Sequence, residues 1–181
     1  MIKGVIFDYG GTIDSRGVHW SEVIWDGYCD SEVPVSKEEF RQSYVMAERE
    51  LAKVRHILPH HNFYDLLLIK MRIELGDLVS RQVLAADYPV EPKAEAIARY
   101  CYDAARSSIE EARPTLEALY ARYPMVLVIG DSYKKDIVPA ESLGCKVLWI
   151  KGKGWTAEED AQTHPCIIAR LSEVLESDVL K

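Results

Sequence analysis

The sequence predicts an α/β fold, a small parallel sheet into which a long run of helices is inserted. Three observations predict it. Apolar, strand-sized runs at 5–7, 125–129 and 146–150 stand far apart, and each runs into a glycine-containing turn, the form of buried parallel strands. The stretch 18–109 keeps a helical apolar period and holds no convincing strand. After it, strands and helices alternate, which implies parallel pairing through right-handed crossovers.

Taken in order, Val5-Ile6-Phe7 delivers Asp8 at once, and Gly10 and Gly11 let the backbone turn tightly and approach a ligand. Thr12 adds a hydroxyl and Asp14 a second acid. Such a loop aims a carboxylate and several N–H groups at one volume, which suits a metal ion and an anion. A strand entering a glycine turn is equally a structural device. Val18, Val23, Ile24, Trp25 and Tyr28 predict a helix over 17–33, stopped by Pro34. Ser36 and Glu39 have capping-box spacing for a helix running to about 56. His56, His60 and His61 flank Pro59 without a carboxylate at ligand spacing, so they read as a solvated loop. Asn62 can cap a helix over 63–75 that ends at Gly76, and 79–88 is ambiguous. Helices over 92–108 and 114–123 follow, the second with Pro114 in its first turn and Glu110, Glu111 and Arg113 as an exposed linker before it. The run 125–129 then leads into Gly130-Asp131-Ser132, with Lys134, Lys135 and Asp136 in the turn, a helix over 137–143, the strand 146–150, a short helix after Thr156 and a last amphipathic helix over 165–175. In such sheets ligands lie outside the carboxyl ends of the strands, where Asp8 and Asp131 both stand.

Composition narrows the function. The chain has 181 residues, 48% of them hydrophobic, enough for a substantial core. A net charge of −7 argues against a nucleic-acid surface. No apolar run reaches membrane-spanning length, and no signal peptide precedes the first strand, so a cytoplasmic protein without a membrane partner is expected. Cys29, Cys101, Cys145 and Cys166 stand far apart without zinc spacing and read as reduced thiols.

Two stretches carry a family resemblance. Phe7-Asp8-Tyr9-Gly10-Gly11-Thr12-Ile13-Asp14 resembles the first motif of the haloacid dehalogenase-like (HAD) superfamily of hydrolases, and Gly130-Asp131-Ser132-Tyr133-Lys134-Lys135-Asp136 resembles its fourth, GDxxxD. The continuation through Pro139 and Gly144 to Lys151-Gly152 is also similar, and the helical insert resembles the family's C1-type cap. The resemblance implies a Rossmann-like parallel core, 1–16 with 110–181, and a helical cap over 17–109. It implies a nucleophile in Asp8 that forms an aspartyl-phosphate with a small phosphorylated substrate. It further implies Mg²⁺ held by Asp8, the Gly10 backbone carbonyl and Asp131, with Asp136 as a ligand or supporting partner. Gly11 and Thr12 would cradle the phosphoryl oxygens, and Lys134 could add charge. Trp20, Trp25, Tyr28 and His19 are substrate-contact candidates by position alone, and packing explains each of them more simply.

Three departures accompany the resemblance. Gly10 stands where phosphatases of this family usually carry an Asp general acid, a loss of about 10²–10⁴ in rate. The family's Ser/Thr motif and its Lys motif should lie between two strands that here are one, 126–129, as though ~50 residues were deleted. Only three strands of the core can be placed, and the strand carrying Asp8 loses a neighbour, an exposed edge that a homodimer could cover. The expected function is a Mg²⁺-dependent phosphatase whose activity is reduced or lost. The alternatives are a catalytically degenerate binding protein of the same fold and a dehalogenase-type hydrolase, the latter disfavoured by the metal-type acids Asp131 and Asp136.

Overall fold

A computed structural model describes residues 4–122, 126–154 and 156–180. In chain order the elements are β1 (Gly4–Phe7), α1 (Trp20–Asp30), α2 (Lys37–Lys53), α3 (Phe63–Ser80), α4 (Val90–Arg122), β2 (Val126–Gly130), α5 (Val138–Ser142), β3 (Lys146–Ile150), α6 (Ala157–Ala161) and β4 (Ile167–Ile168). The protein is therefore α/β, with one four-stranded parallel sheet in the order β1-β2-β3-β4. Contacts divide it into two compact units, Met1–Glu22 with Ala104–Lys181 and Val23–Asp103, the chain passing between them within α1 and within α4. No helix among the described residues is long and apolar enough to cross a membrane.

In the sheet unit, alternation along the strands sorts side chains to two faces. Leu127, Ile129, Leu148 and Ile150 turn to one face and pack with Ala112 and Leu119 of α4 and with Ile168, Leu171 and Val174. Val147 and Trp149 turn to the other and pack with Ile137 and Ala140. β4 corrects the expected last helix. The apolar spacing of Ile168, Leu171 and Val174 fits a helix, but the β-branched pair Ile167-Ile168 adds to β3 instead. A 3₁₀ turn over Leu171–Glu176 then brings Leu171 and Val174 into the same core. The expected break before Pro114 is also corrected, because α4 runs through it. Proline forfeits one helical hydrogen bond, while Ala112, Thr115 and Leu119 on either side are buried and hold the turn in place.

β1 lies at the end of the strand order and has β2 as its single neighbour among the described residues. The expected exposed edge is therefore present among them. The expected deletion falls at 126–129, which here form most of β2, while Tyr123, Pro124 and Met125 just before it lie outside the described residues. Ile6 sits on this edge strand at 58% exposure. Ile6→Lys is expected to leave the melting temperature nearly unchanged, since surface substitutions shift stability by only about 0.5 kcal/mol. It should also lower light scattering of concentrated protein, because a charge on an edge strand discourages edge pairing. Unaltered scattering would mean the edge does not drive association.

The helical unit is built by its caps. Ser36 Oγ accepts from the Glu39 N–H at 3.3 Å while the Glu39 carboxylate accepts from the Ser36 N–H at 2.7 Å. Asn62 and Asp65 repeat the arrangement at α3, at 3.1 and 2.9 Å. α3 does not end at Gly76 as expected. It continues to Ser80, since Leu75 and Leu78 are fully buried and packing outweighs the weak helix propensity of glycine. Tyr28 stacks on Phe40 at 4.9 Å and Trp25 lies 5.4 Å from the same ring, so both aromatics are packing residues here.

Candidate functional site

Register brings the site together. β1 and β2 run parallel with Phe7 opposite Ile129, and the Asp8 N–H extends the ladder to the Ile129 carbonyl at 2.9 Å. Asp8 and Asp131 consequently leave neighbouring strands at the same end. Asp131 is followed by a π-helical turn over Tyr133–Ile137 that carries Asp136 back toward them. Carboxylate oxygens of Asp8, Asp131 and Asp136 all lie within 4.8 Å of one another.

Two glycines make this approach possible. A Cβ on Gly11 would stand 2.2 Å from Asp131 Oδ2, and Gly11 holds φ +91°. A Cβ on Gly130 would stand 2.4 Å from that of Asp136. The loop after β1 is closed from within. Asp14 is 4% exposed and accepts from the Gly11 N–H at 2.7 Å and from Trp20 Nε1 at 3.0 Å. The Gly17 N–H reaches the Gly11 carbonyl at 2.6 Å, and Ser108 of α4 donates to the Ile13 carbonyl at 2.7 Å. At the far end of the loop Gly17 meets Gly152 backbone to backbone, with the Gly152 N–H on the Gly17 carbonyl at 3.1 Å. A Cβ on either would fall within 2.8 Å of the other loop's main chain.

The carboxyls strain against one another. Burial raises the Asp131 pKa to about 7, helped by hydrogen bonding with Asp8 and by the charges of Asp8 and Asp136. Asp136 is raised by burial and by Asp8, while the Ser132 N–H, 2.9 Å from Oδ2, pulls the other way. Asp14 is likewise raised, chiefly by burial. A cation placed among the three carboxyls would relieve this repulsion. Three carboxylates form an all-oxygen donor set of the kind hard divalent cations take, and opposite Mg²⁺ ligands stand about 4.2 Å apart. Asp8, Asp131 and Asp136 could together hold such a cation.

Compared with known proteins, the chain matches no family model, no curated protein and no solved structure.

The other expected site residues fall as follows. Gly10 is exposed, and a Cβ there would meet no described residue within 4 Å. The Gly11 N–H is taken by Asp14, and Thr12 is fully buried with its hydroxyl 3.5 Å from Asp8 Oδ2. Both hydrogen bonds organise the loop. Lys134 is exposed and lines a pocket of about 60 Å³ beside Asp131, walled by Tyr133 and Trp149. His19 also lines this pocket, and Trp149 Nε1 donates to the Asp131 carbonyl at 2.7 Å. Sequence reasoning missed Gly17, Trp149 and the closing role of Asp14. The one available signal was the position of Asp14 three residues after Gly11, the reach of a side-chain turn.

The electrostatics give a direct expectation. An acid whose folded pKa is raised is most favourable to folding in acid, and that contribution is lost as pH rises from about 4 toward 7. Asp131→Asn should therefore melt higher than the parent in EDTA at pH 8, by roughly 1–2 kcal/mol after allowance for solvent screening. It should also lose most of the stabilisation that Mg²⁺ gives the parent. An Asp131→Asn variant that melts lower in EDTA would contradict like-charge strain at this site.

Proposed function

We propose that the chain is a Mg²⁺-dependent hydrolase of the HAD type acting on a small phosphate ester, with Asp8 as nucleophile. The observation that carries this reading is the convergence of Asp8, Asp131 and Asp136 at the carboxyl ends of two adjacent parallel strands. Asp8, Asp131 and Asp136 would hold the ion, with the Gly10 carbonyl as a further oxygen. When bound, Mg²⁺ supplies positive charge that offsets repulsion between an anionic nucleophile and an anionic phosphate. An Asp8 carboxylate oxygen bonds to phosphorus as the ester P–O bond breaks, giving an aspartyl-phosphate and an alkoxide. Gly10 has no proton to give, so the alkoxide takes its proton from water, and turnover is slow for that reason. Water then attacks the aspartyl-phosphate, releasing phosphate and restoring Asp8. Thr12, buried beneath Asp8, orients the carboxylate, and Asp14 holds the loop closed.

A specific observation favours a second reading, a protein of this fold that binds a cation without turnover. The loop donors expected to cradle a phosphate are committed elsewhere, Gly11 to Asp14 and Thr12 toward Asp8. A panel of small phosphate esters assayed with Mg²⁺ and with EDTA separates the two. Mg²⁺-dependent phosphate release supports the hydrolase. A Mg²⁺-dependent rise in melting temperature with no release on any ester leaves the binding reading, and neither response removes both.

A further inference from the structure

The helical unit contains a buried acid that the site chemistry does not use. Glu74 on α3 is 0% exposed. The Tyr28 hydroxyl of α1 donates to its Oε2 at 3.1 Å, while Oε1 has no hydrogen-bond partner among the described residues. Lys70, one turn earlier on the same helix, is the cation facing it, and its ammonium is ion-paired with Glu48 of α2. The same ammonium sits 3.9 Å from the centre of the Tyr44 ring, also on α2. From α4 the facing group is the buried Cys101 thiol, pushed up by its own burial and by Glu74. Tyr28 and Tyr44 are raised in the same way, so Tyr28, Tyr44 and Cys101 are uncharged around neutral pH. Two carboxyl groups, Glu48 and Glu74, therefore share one ammonium, and the one without an ion pair among the described residues is the one fully out of water.

An ionised carboxylate with an unsolvated oxygen is among the costliest groups to bury. We propose that Glu74 is held as a neutral acid in the folded helical unit and that losing this proton loosens the packing of α1 against α3, which makes the unit a pH-responsive element. Burial places the Glu74 pKa at about 7, with Lys70 and Tyr28 opposing the rise, so the transition falls in the neutral range. Its folded pKa lies above the unfolded one. Stability from this group is therefore complete in acid and is lost as pH rises from about 4.5 to 7.

The test is urea unfolding of the full chain from acid to alkaline pH in EDTA. An Asp131→Asn background removes the other carboxyl raised to about 7, Asp14 and Asp136 remain common to both forms, and the slopes with Glu74 and with Glu74→Gln are compared. With Glu74 the folded-to-unfolded ratio is expected to fall about tenfold per pH unit across that window, the signature of one proton. With Glu74→Gln, whose amide permanently mimics the neutral acid, that component of the slope vanishes. Equal slopes for the two forms overturn the proposal. Amide exchange in the parent protein, corrected for intrinsic rates, provides a reading independent of how the Glu74→Gln variant folds. Protection in α1 and α3 should fall as pH rises from about 4.5 to 7 and level off above it, and protection that stays constant across that window also overturns it.

Discussion

Asp8→Asn is expected to abolish Mg²⁺-dependent phosphate release while leaving the protein folded. Asparagine carries no charge to attack phosphorus, and losing a nucleophile costs on the order of 10⁴–10⁶ in rate. The fold should not suffer. Asp8 shares a hydrogen bond and like-charge repulsion with Asp131, and it adds to the repulsion on Asp136. Removing its charge relieves the cluster, so the Asp8→Asn variant should melt no lower than the parent in EDTA. The two readouts must be taken together. Lost activity with an unchanged melt assigns the chemistry to Asp8, whereas equal rates for the two forms would exclude it as the nucleophile.

Gly11→Ala is expected to damage both the fold and the site. Two penalties fall on one atom. The backbone stands at φ +91°, where an L side chain strains by roughly 1–3 kcal/mol. The new Cβ would also lie 2.2 Å from Asp131 Oδ2 and 2.4 Å from its Cγ. Either the loop or the Asp131 side chain must move. We expect a loss of about 2–4 kcal/mol in urea unfolding together with a weakened Mg²⁺ response in thermal melts. A full Mg²⁺ response in the Gly11→Ala variant would mean that the loop and Asp131 are not in contact, and the proposed ion site would have to be redrawn. Gly10→Ala makes the natural control, since no described residue lies within 4 Å of a Cβ there.

Much of this architecture was legible because it is written in short stretches. The loop from Asp8 to Asp14, the acid after β2 and the caps at Ser36 and Asn62 each depend on residues within a few positions of one another. The edge position of β1 was expected too, since only three strands could be placed and the one carrying Asp8 was left short of a neighbour. What escaped depends on partners distant in sequence. Ile167-Ile168 joins the sheet because β3 offers a free edge, a fact its own periodicity cannot carry. α4 passes Pro114, and α3 passes Gly76, because buried neighbours outweigh local preference. Glu74 reads as one more polar residue of a helix until α1 and α2 close over it. Gly11 and Thr12 were rightly placed in the loop, but their hydrogen-bond partners, Asp14 and Asp8, were not visible in composition or spacing.

The contact between Gly17 and Gly152 bears on how this protein could be reshaped. These two residues stand near opposite ends of the chain, yet they form a single hinge-pin between the loop after β1 and the loop after β3. Neither tolerates a side chain unless the other loop gives way. A mutational library aimed at the small pocket beside Asp131 should therefore keep both glycines fixed and draw its diversity from Ser132, Tyr133, Lys134 and His19. Variation at either glycine would change two walls of the pocket at once, and selection for a new ligand would then mostly recover repairs to the hinge-pin.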